Sequence, residues 1–340
     1  MLPPMPHPWW HYALFILFVL IMLAIDLGVF HRRAHAVSRK EALVWSFVWI
    51  ALSLLFNAGV WYFQGITKAG EFLAGYLVEK SLSLDNLFVF LMIFMYFGVP
   101  EKYQHRVLYW GILGALVMRA AMIAAGAALI ARFDWVIYIF GGFLVYTGIK
   151  FAWNSGVSIH PEKNPVLGLL RRMIPITKDF REQHFFVREG ARWAATPLFV
   201  VLALVETSDV LFAVDSIPAI FGITRDPFIV FTSNIFAILG LRALYFLLAN
   251  IMPMFRYLGF GLGTILAYVG VKMLLHDVVE IPIWLSLVVI AVVLAGSLGY
   301  SVWESRRYSE EIEEQAKEDE QAKQDAHDED AEAKRDTDDR

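Results

Sequence analysis

"VEKSLSLDNLFVF", residues 78–90, places Glu79, Lys80, Ser81, Ser83, Asp85 and Asn86 directly before an apolar run that continues to Phe97. By hydropathy it begins a membrane span. By polarity it is a helix that lipid would not tolerate. Both readings hold if the segment crosses a bilayer with its polar face turned toward protein or a water-filled cavity. Of the 340 residues, 58% are hydrophobic and only 18% charged, against roughly a quarter charged in soluble domains. About 20 mainly apolar residues cross a bilayer as a helix. Nine such stretches are expected, at 9–30, 43–63, 72–98, 107–130, 134–152, 194–221, 227–249, 257–275 and 281–301. The fold class is all-α, a polytopic membrane protein.

The sequence contains no cysteine, so disulfides, thiolate metal ligands and a cysteine nucleophile are closed. Basic residues follow the first apolar stretch (Arg32, Arg33, Arg39, Lys40) and no small-residue cleavage site is evident, so it is read as a retained span. Lys and Arg gather at 31–42, at 99–106 and in 153–193 (Lys163, Arg171, Arg172, Lys178, Arg181, Arg188, Arg192). These segments alternate with sparse loops at 64–71, 131–133, 222–226 and 276–280. The bias puts the N-terminus outside and the C-terminus in the cytoplasm. Residues 1–303 form the transmembrane domain, and 304–340 a cytoplasmic tail with 16 acidic and 7 basic residues. That tail lacks the apolar residues to bury a core and is expected to be disordered.

The middle of the chain repeats itself at an offset near 123 residues. "DNLF" (85–88) matches "DVLF" (209–212), Arg119-Ala120 matches Arg242-Ala243, and "LVYTGIK" (144–150) matches "LAYVGVK" (266–272). Each copy holds three spans, so the second enters the membrane from the opposite side. Spans 3–5 (about 72–152) and 6–8 (about 194–275) are therefore expected to form an inverted-topology repeat. Such repeats are common in secondary transporters, whose substrate sits near the midplane between the copies.

A second polar kernel, "VETSDVLFAVDSIPAI" at 205–220, repeats the pattern of the first. Glu79 and Asp85 in span 3, with Glu206, Asp209 and Asp215 in span 6, are the candidate metal-binding residues, because acids at bilayer depth are costly unless they face a cavity and find partners. Glu206 and Asp209 share a helical face. Asp215 points about 120° from Asp209, as Asp85 does from Glu79. Either the acids line a wide cavity or the helices unwind locally, and Pro218 with its neighbouring serines suggests unwinding in span 6. Oxygen donors without sulfur or imidazole suit Mg, Ca or Mn. Candidate supporting or gating residues are Asp26, Asn86, Arg119, Ser216, Asn234 and Arg242. The alternative for the acids is static ion pairing with Arg119 and Arg242 that only fixes helix packing. Lys80 is read as snorkelling or pairing with Glu79.

Four stretches, "DLGVFHR" (26–32), "EKSLSLDNLFVF" (79–90), "ETSDVLFAVDSIPAI" (206–220) and "TSNIFAILGLRALYF" (232–246), resemble the TerC family, in its Alx-like branch. The resemblance implies a manganese exporter of the wider LysE-like transporter group in the bacterial inner membrane, with the family's functional acids at Glu79, Asp85, Glu206, Asp209 and Asp215.

The expected function is thus a secondary transporter exporting a divalent metal, Mn2+ first, from the cytoplasm, with proton exchange as the energy source. Mn2+ is the transported ion, with no prosthetic group. Its partners are protons and the lipid bilayer, and no nucleic acid. No P-loop is present, and no nucleophile arrangement suggests an enzyme. The competing reading is a membrane scaffold for stress-response or membrane-insertion complexes, its acids gluing helices together. A reporter fused within 153–193 is expected to read cytoplasm, and one within 222–226 the outside. Both reporters on one side would remove the inverted repeat.

Overall fold

The computed structural model describes residues 8–30, 39–153, 165–189, 192–248, 258–279, 281–304 and 307. The side chains of Asp26 and Asp85 lie outside the described residues, as does nearly all of the expected acidic tail.

Although the span expected at 194–221 begins in a short strand and the one at 227–249 is interrupted, the expected spans fall mainly on helices. In chain order these are α1 (Trp9–Phe30), α2 (Arg39–Gln64), α3 (Ile66–Tyr96), α4 (Glu101–Arg132), α5 (Val136–Trp153), α6 (Pro165–Met173), α7 (Pro197–Phe221), α8 (Pro227–Ile238), α9 (Leu241–Leu248) and α10 (Leu258–Leu274). A last helix, α11, covers Ile283–Glu304. Six described helical segments are long and apolar enough to cross a membrane: α2, α4, α5, α7, α11 and the α8–α9 pair taken together. The 31-residue α3 is not among them, because it carries Lys68, Glu71, Glu79, Lys80 and Asp85. In its place it packs extensively against α7 and α8. By contrast only 11% of the apolar window of α11 is buried, so that helix is suited to face lipid over most of its girth.

Two expectations about irregular backbone are corrected. The long loop at 153–193 contains α6 and an antiparallel hairpin, β1 (Phe186–Glu189) with β2 (Arg192–Ala195), in which Phe186 pairs with Ala195. Span 6 does not unwind at Pro218: α7 is one helix through that residue. The proline sits in the final turn, so the one ladder bond it removes and any bend it imposes are confined to the end of the helix. The interruption is in span 7 instead, where Gly240 takes a φ of +84° between α8 and α9, a conformation that favours glycine.

The helix starts are legible in the residues. Pro197 opens α7 and Pro227 opens α8, at positions whose N–H would be unpaired in any case. The Asp226 carboxylate caps α8, accepting from the Phe228 amide at 3.0 Å and the Ile229 amide at 3.5 Å. Aromatic rings from α1 (Phe15), α2 (Phe56), α3 (Phe72) and α8 (Phe236) interlock into one cluster with centroids 5.0–6.0 Å apart.

The closest pairing is α5 against α10, which are antiparallel. A Cβ on Gly148 would stand 2.5 Å from the Ala267 nitrogen and 2.6 Å from the Gly263 oxygen. One on Gly270 would stand 2.7 Å from the Gly141 oxygen and 2.8 Å from the Val145 nitrogen. The repeat alignment carries Gly141 onto Gly263, Val145 onto Ala267 and Gly148 onto Gly270. These contacts therefore exchange when the two copies are exchanged. Small residues that admit such backbone approach are a main source of helix association in lipid. Gly148→Val is expected to destabilise the protein by about 1–3 kcal/mol, the usual range for overpacking. Gly142→Ala, at a glycine with nothing within 4 Å of its would-be Cβ, should melt like the parent. Equal melting of both variants in detergent would contradict the close approach.

Candidate functional site

Arg119 is the centre of the polar kernel. It lies near the middle of the 32-residue α4 and is 1% exposed, the largest fully buried side chain among the described residues. Its Nε donates to Asp209 Oδ2 at 3.2 Å and its Nη2 to Asp209 Oδ1 at 3.0 Å, a bidentate contact. Nη1 donates to Glu79 Oε1, to Asn234 Oδ1 at 3.2 Å and to Ser216 Oγ at 3.5 Å. One planar guanidinium thus gathers α3, α7 and α8 around α4. Arginine suits this role because its donors form a rigid fork and its charge is permanent.

Asn86 Nδ2 adds a bond to Asp209 Oδ1 at 3.0 Å, reaching from α3 to α7. Glu79, Asn86, Arg119, Asp209, Ser216 and Asn234, six residues predicted from the sequence, therefore form one connected network. Several of its atoms are left over: Glu79 Oε2, Asn86 Oδ1 and Asn234 Nδ2 are buried without a hydrogen-bond partner among the described residues. Buried oxygens without donors are unusual in a settled structure and suit a positively charged ligand.

Glu206 is placed beside this network, on the α7 face it shares with Asp209. Its carboxylate rests in the space left by Gly114 of α4, where any Cβ would collide with it. Its Oε2 is also buried and unpartnered. Asp215 is half-buried and lies apart from the Arg119 network, in electrostatic reach of Lys150 on α5. Arg242, on α9, lines a small crevice with Leu23, Trp49, Ile112 and Leu239. Among the described residues no three acidic or histidine side chains form a metal-ligand cluster. The physical reason is that a guanidinium occupies the space between Glu79 and Asp209.

The reading of Lys80 is corrected. Glu79 binds Arg119, and the Lys80 ammonium instead donates to the carbonyls of Ala237 at 3.1 Å and Leu239 at 3.4 Å, at the break in span 7. The signal available in the sequence was Gly240, an isolated glycine in an apolar run. A partly buried charged cluster also escaped sequence reasoning. Lys68 bridges Glu71 at 2.8 Å and Asp226 at 3.3 Å, and the Thr224 hydroxyl donates to Glu71. The Asp226-Pro227 pair was its signal, since it marks a helix start.

Residues 64–309 match the family described as integral membrane protein TerC family. The chain belongs to the TerC family. Relatives in this family include the "Uncharacterized membrane protein STKORF319" of Myxococcus xanthus, 55% identical over 87% of this chain and 92% of the relative. The "Putative membrane-bound redox modulator Alx" of Escherichia coli K12 is 49% identical over 87% of this chain and 95% of the relative. An "Uncharacterized membrane protein" of Rickettsia bellii is 40% identical over 82% of this chain and 92% of the relative. The Alx-like branch is thus the part of the TerC family to which this chain is similar. No solved structure matches it.

Removing one member of a buried charge network leaves the others uncompensated, at a cost of about 3–5 kcal/mol. Arg119→Leu is expected to lose stability in that range in denaturant or thermal unfolding. Adding Glu79→Gln and Asp209→Asn to it should recover most of the loss. A single variant as stable as the parent would remove Arg119 from the centre of the fold.

Proposed function

We propose that this TerC family membrane protein is a secondary transporter that exports a divalent metal, manganese first, from the cytoplasm through the kernel between α3, α4, α7 and α8. The observation that carries the reading is the set of buried acceptor oxygens without donors, Glu79 Oε2, Asn86 Oδ1 and Glu206 Oε2, beside a carboxylate pair held by one arginine. Buried carboxyl and amide oxygens suit a hard divalent cation. A cation entering between Glu79 and Asp209 has to displace the Arg119 guanidinium, so Arg119 acts as a tethered counter-ion that holds the acids until metal takes its place. Protons are the proposed exchange partner, because carboxylates give up protons when metal binds. The exchange-related glycine contacts of α5 and α10 support two copies moving against each other, with the cytoplasmic side at 153–193.

A second reading is a membrane-bound modulator or scaffold. The observation that favours it is that Arg119 already donates to Glu79, Asp209, Ser216 and Asn234, as a static network would. A redox role in this chain would not run through thiols, since the sequence has no cysteine.

Glu206 separates the two readings better than Asp209. Neutralising Asp209 would break the bidentate pair and cost stability for reasons unrelated to transport. Glu206→Gln keeps the shape of a side chain with no ion pair among the described salt bridges, so its folding should be parental or better. Efflux from manganese-loaded cells is expected to fall at least about tenfold, the effect of losing a little over 1 kcal/mol of ion or transition-state binding, with membrane protein levels unchanged. Parental efflux from Glu206→Gln would sink the transport assignment for this acid.

A further inference from the structure

Lys80 is the one cation of the kernel that the proposed transport chemistry leaves unused. Its ammonium is bonded to main-chain carbonyls of another span, Ala237 at 3.1 Å and Leu239 at 3.4 Å. In an uninterrupted helix those two oxygens would accept from the amides of Leu241 and Ala243. Gly240, at φ +84°, turns the chain out of that register. The Leu239 amide still closes on the Ile235 oxygen at 2.9 Å, and the ladder resumes when the Leu244 amide reaches the Gly240 oxygen at 3.0 Å. Between those points the break exposes acceptors at the C-terminal, negative end of α8. Carbonyls of this kind inside a membrane need a donor or a cation. In discontinuous transporter helices, such half-helix ends coordinate a small monovalent ion.

We propose that the α8–α9 break is a monovalent-cation cradle, built from the Ala237 and Leu239 carbonyls, that this chain fills with its own Lys80 ammonium. Lys80 is thereby a positioning residue. It ties α3 of the first copy to the broken span of the second and fixes the turn from which Arg242 projects, two residues past Gly240. Replacing the lysine opens the cradle to a soluble ammonium or alkali ion. The cradle stands on hydrogen-bond geometry alone, while its value to ion movement rests on the transport reading, so the test uses folding as its readout.

The experiment is thermal unfolding of the purified full-length protein in detergent, with methylammonium varied at constant ionic strength against tetramethylammonium, which is too bulky and donates no N–H. Lys80→Ala is expected to melt about 5 °C or more below the parent and to recover most of that loss, saturably, with methylammonium. The parent and Lys80→Arg should not respond. A Lys80→Ala protein that melts like the parent, or that answers both ammonium ions alike, overturns the proposal. If Lys80→Ala does not accumulate, Lys80→Gln replaces it, keeping an N–H donor without the charge. It too should be stabilised by methylammonium, and a parental melting temperature without the ion would mean that donors suffice and no cation site exists. Rescue of Lys80→Ala by methylammonium alongside a parent protein that exports no manganese would remove the transport reading and leave the cradle intact.

Discussion

A carboxylate held between helices in a low-dielectric interior must find a cation or hydrogen-bond donors, and in this protein Arg119 meets that demand for two of them. Its Nε, Nη1 and Nη2 face Glu79 on α3 and Asp209 and Ser216 on α7, with Asn234 on α8 completing the set. Four helices are brought to one point by one side chain. The packing around that point follows from it: α4 needs glycine at 111 and 114 so that Val205 and Glu206 of α7 can come close, and α3 needs glycine at 75 to admit Ser233 of α8.

The same demand explains the break in span 7. Main-chain carbonyls released by Gly240 are polar groups in an apolar setting, and the nearest remedy is the Lys80 ammonium on α3. Neighbouring residues of α3 thus serve different partners: Glu79 satisfies a cation from α4, and Lys80 supplies one to α8. The charge placed in α3 makes it too polar for a lipid-facing span, and its extensive packing against α7 and α8 makes that polarity tolerable. Away from this kernel, α5 and α10 meet through close glycine contacts and the apolar side chains around them, such as Leu144, Leu266 and Val269, which hold without charge.

Membership of the TerC family agrees with an integral membrane protein built from long apolar helices. The counter-ion arrangement gives the transport proposal a definite physical form. Under that proposal a divalent metal would compete with the guanidinium for the same oxygens, and Glu206, beside the pair and without a salt bridge of its own among the described residues, would be the acid best placed to tip that competition. The cluster of Lys68, Glu71, Thr224 and Asp226 ties the start of α3 to the α7–α8 connection, so these helices are joined by charge there as well as at Arg119.

Hydropathy and charge by themselves determined the class of the protein, the approximate places of the long helices, and six members of the central network, because burying a polar side chain in an apolar span is costly enough to be visible in one dimension. The internal match of Asp85 with Asp209 and of Arg119 with Arg242 was equally legible. Which acid meets which arginine was not. Periodicity placed Asp215 on another face of its helix, yet only the packing of α5 put it in reach of Lys150 and away from Arg119. Proline pointed to the wrong span for the break, because Pro218 falls in a final turn that tolerates it while Gly240 falls where the ladder would otherwise continue. Lys80 read as a local partner of Glu79, and tertiary structure sent it to carbonyls 157 and 159 residues away. Sequence states the demand for a counter-charge; the three-dimensional crossing of helices decides which group supplies it, since that depends on distances no linear pattern contains.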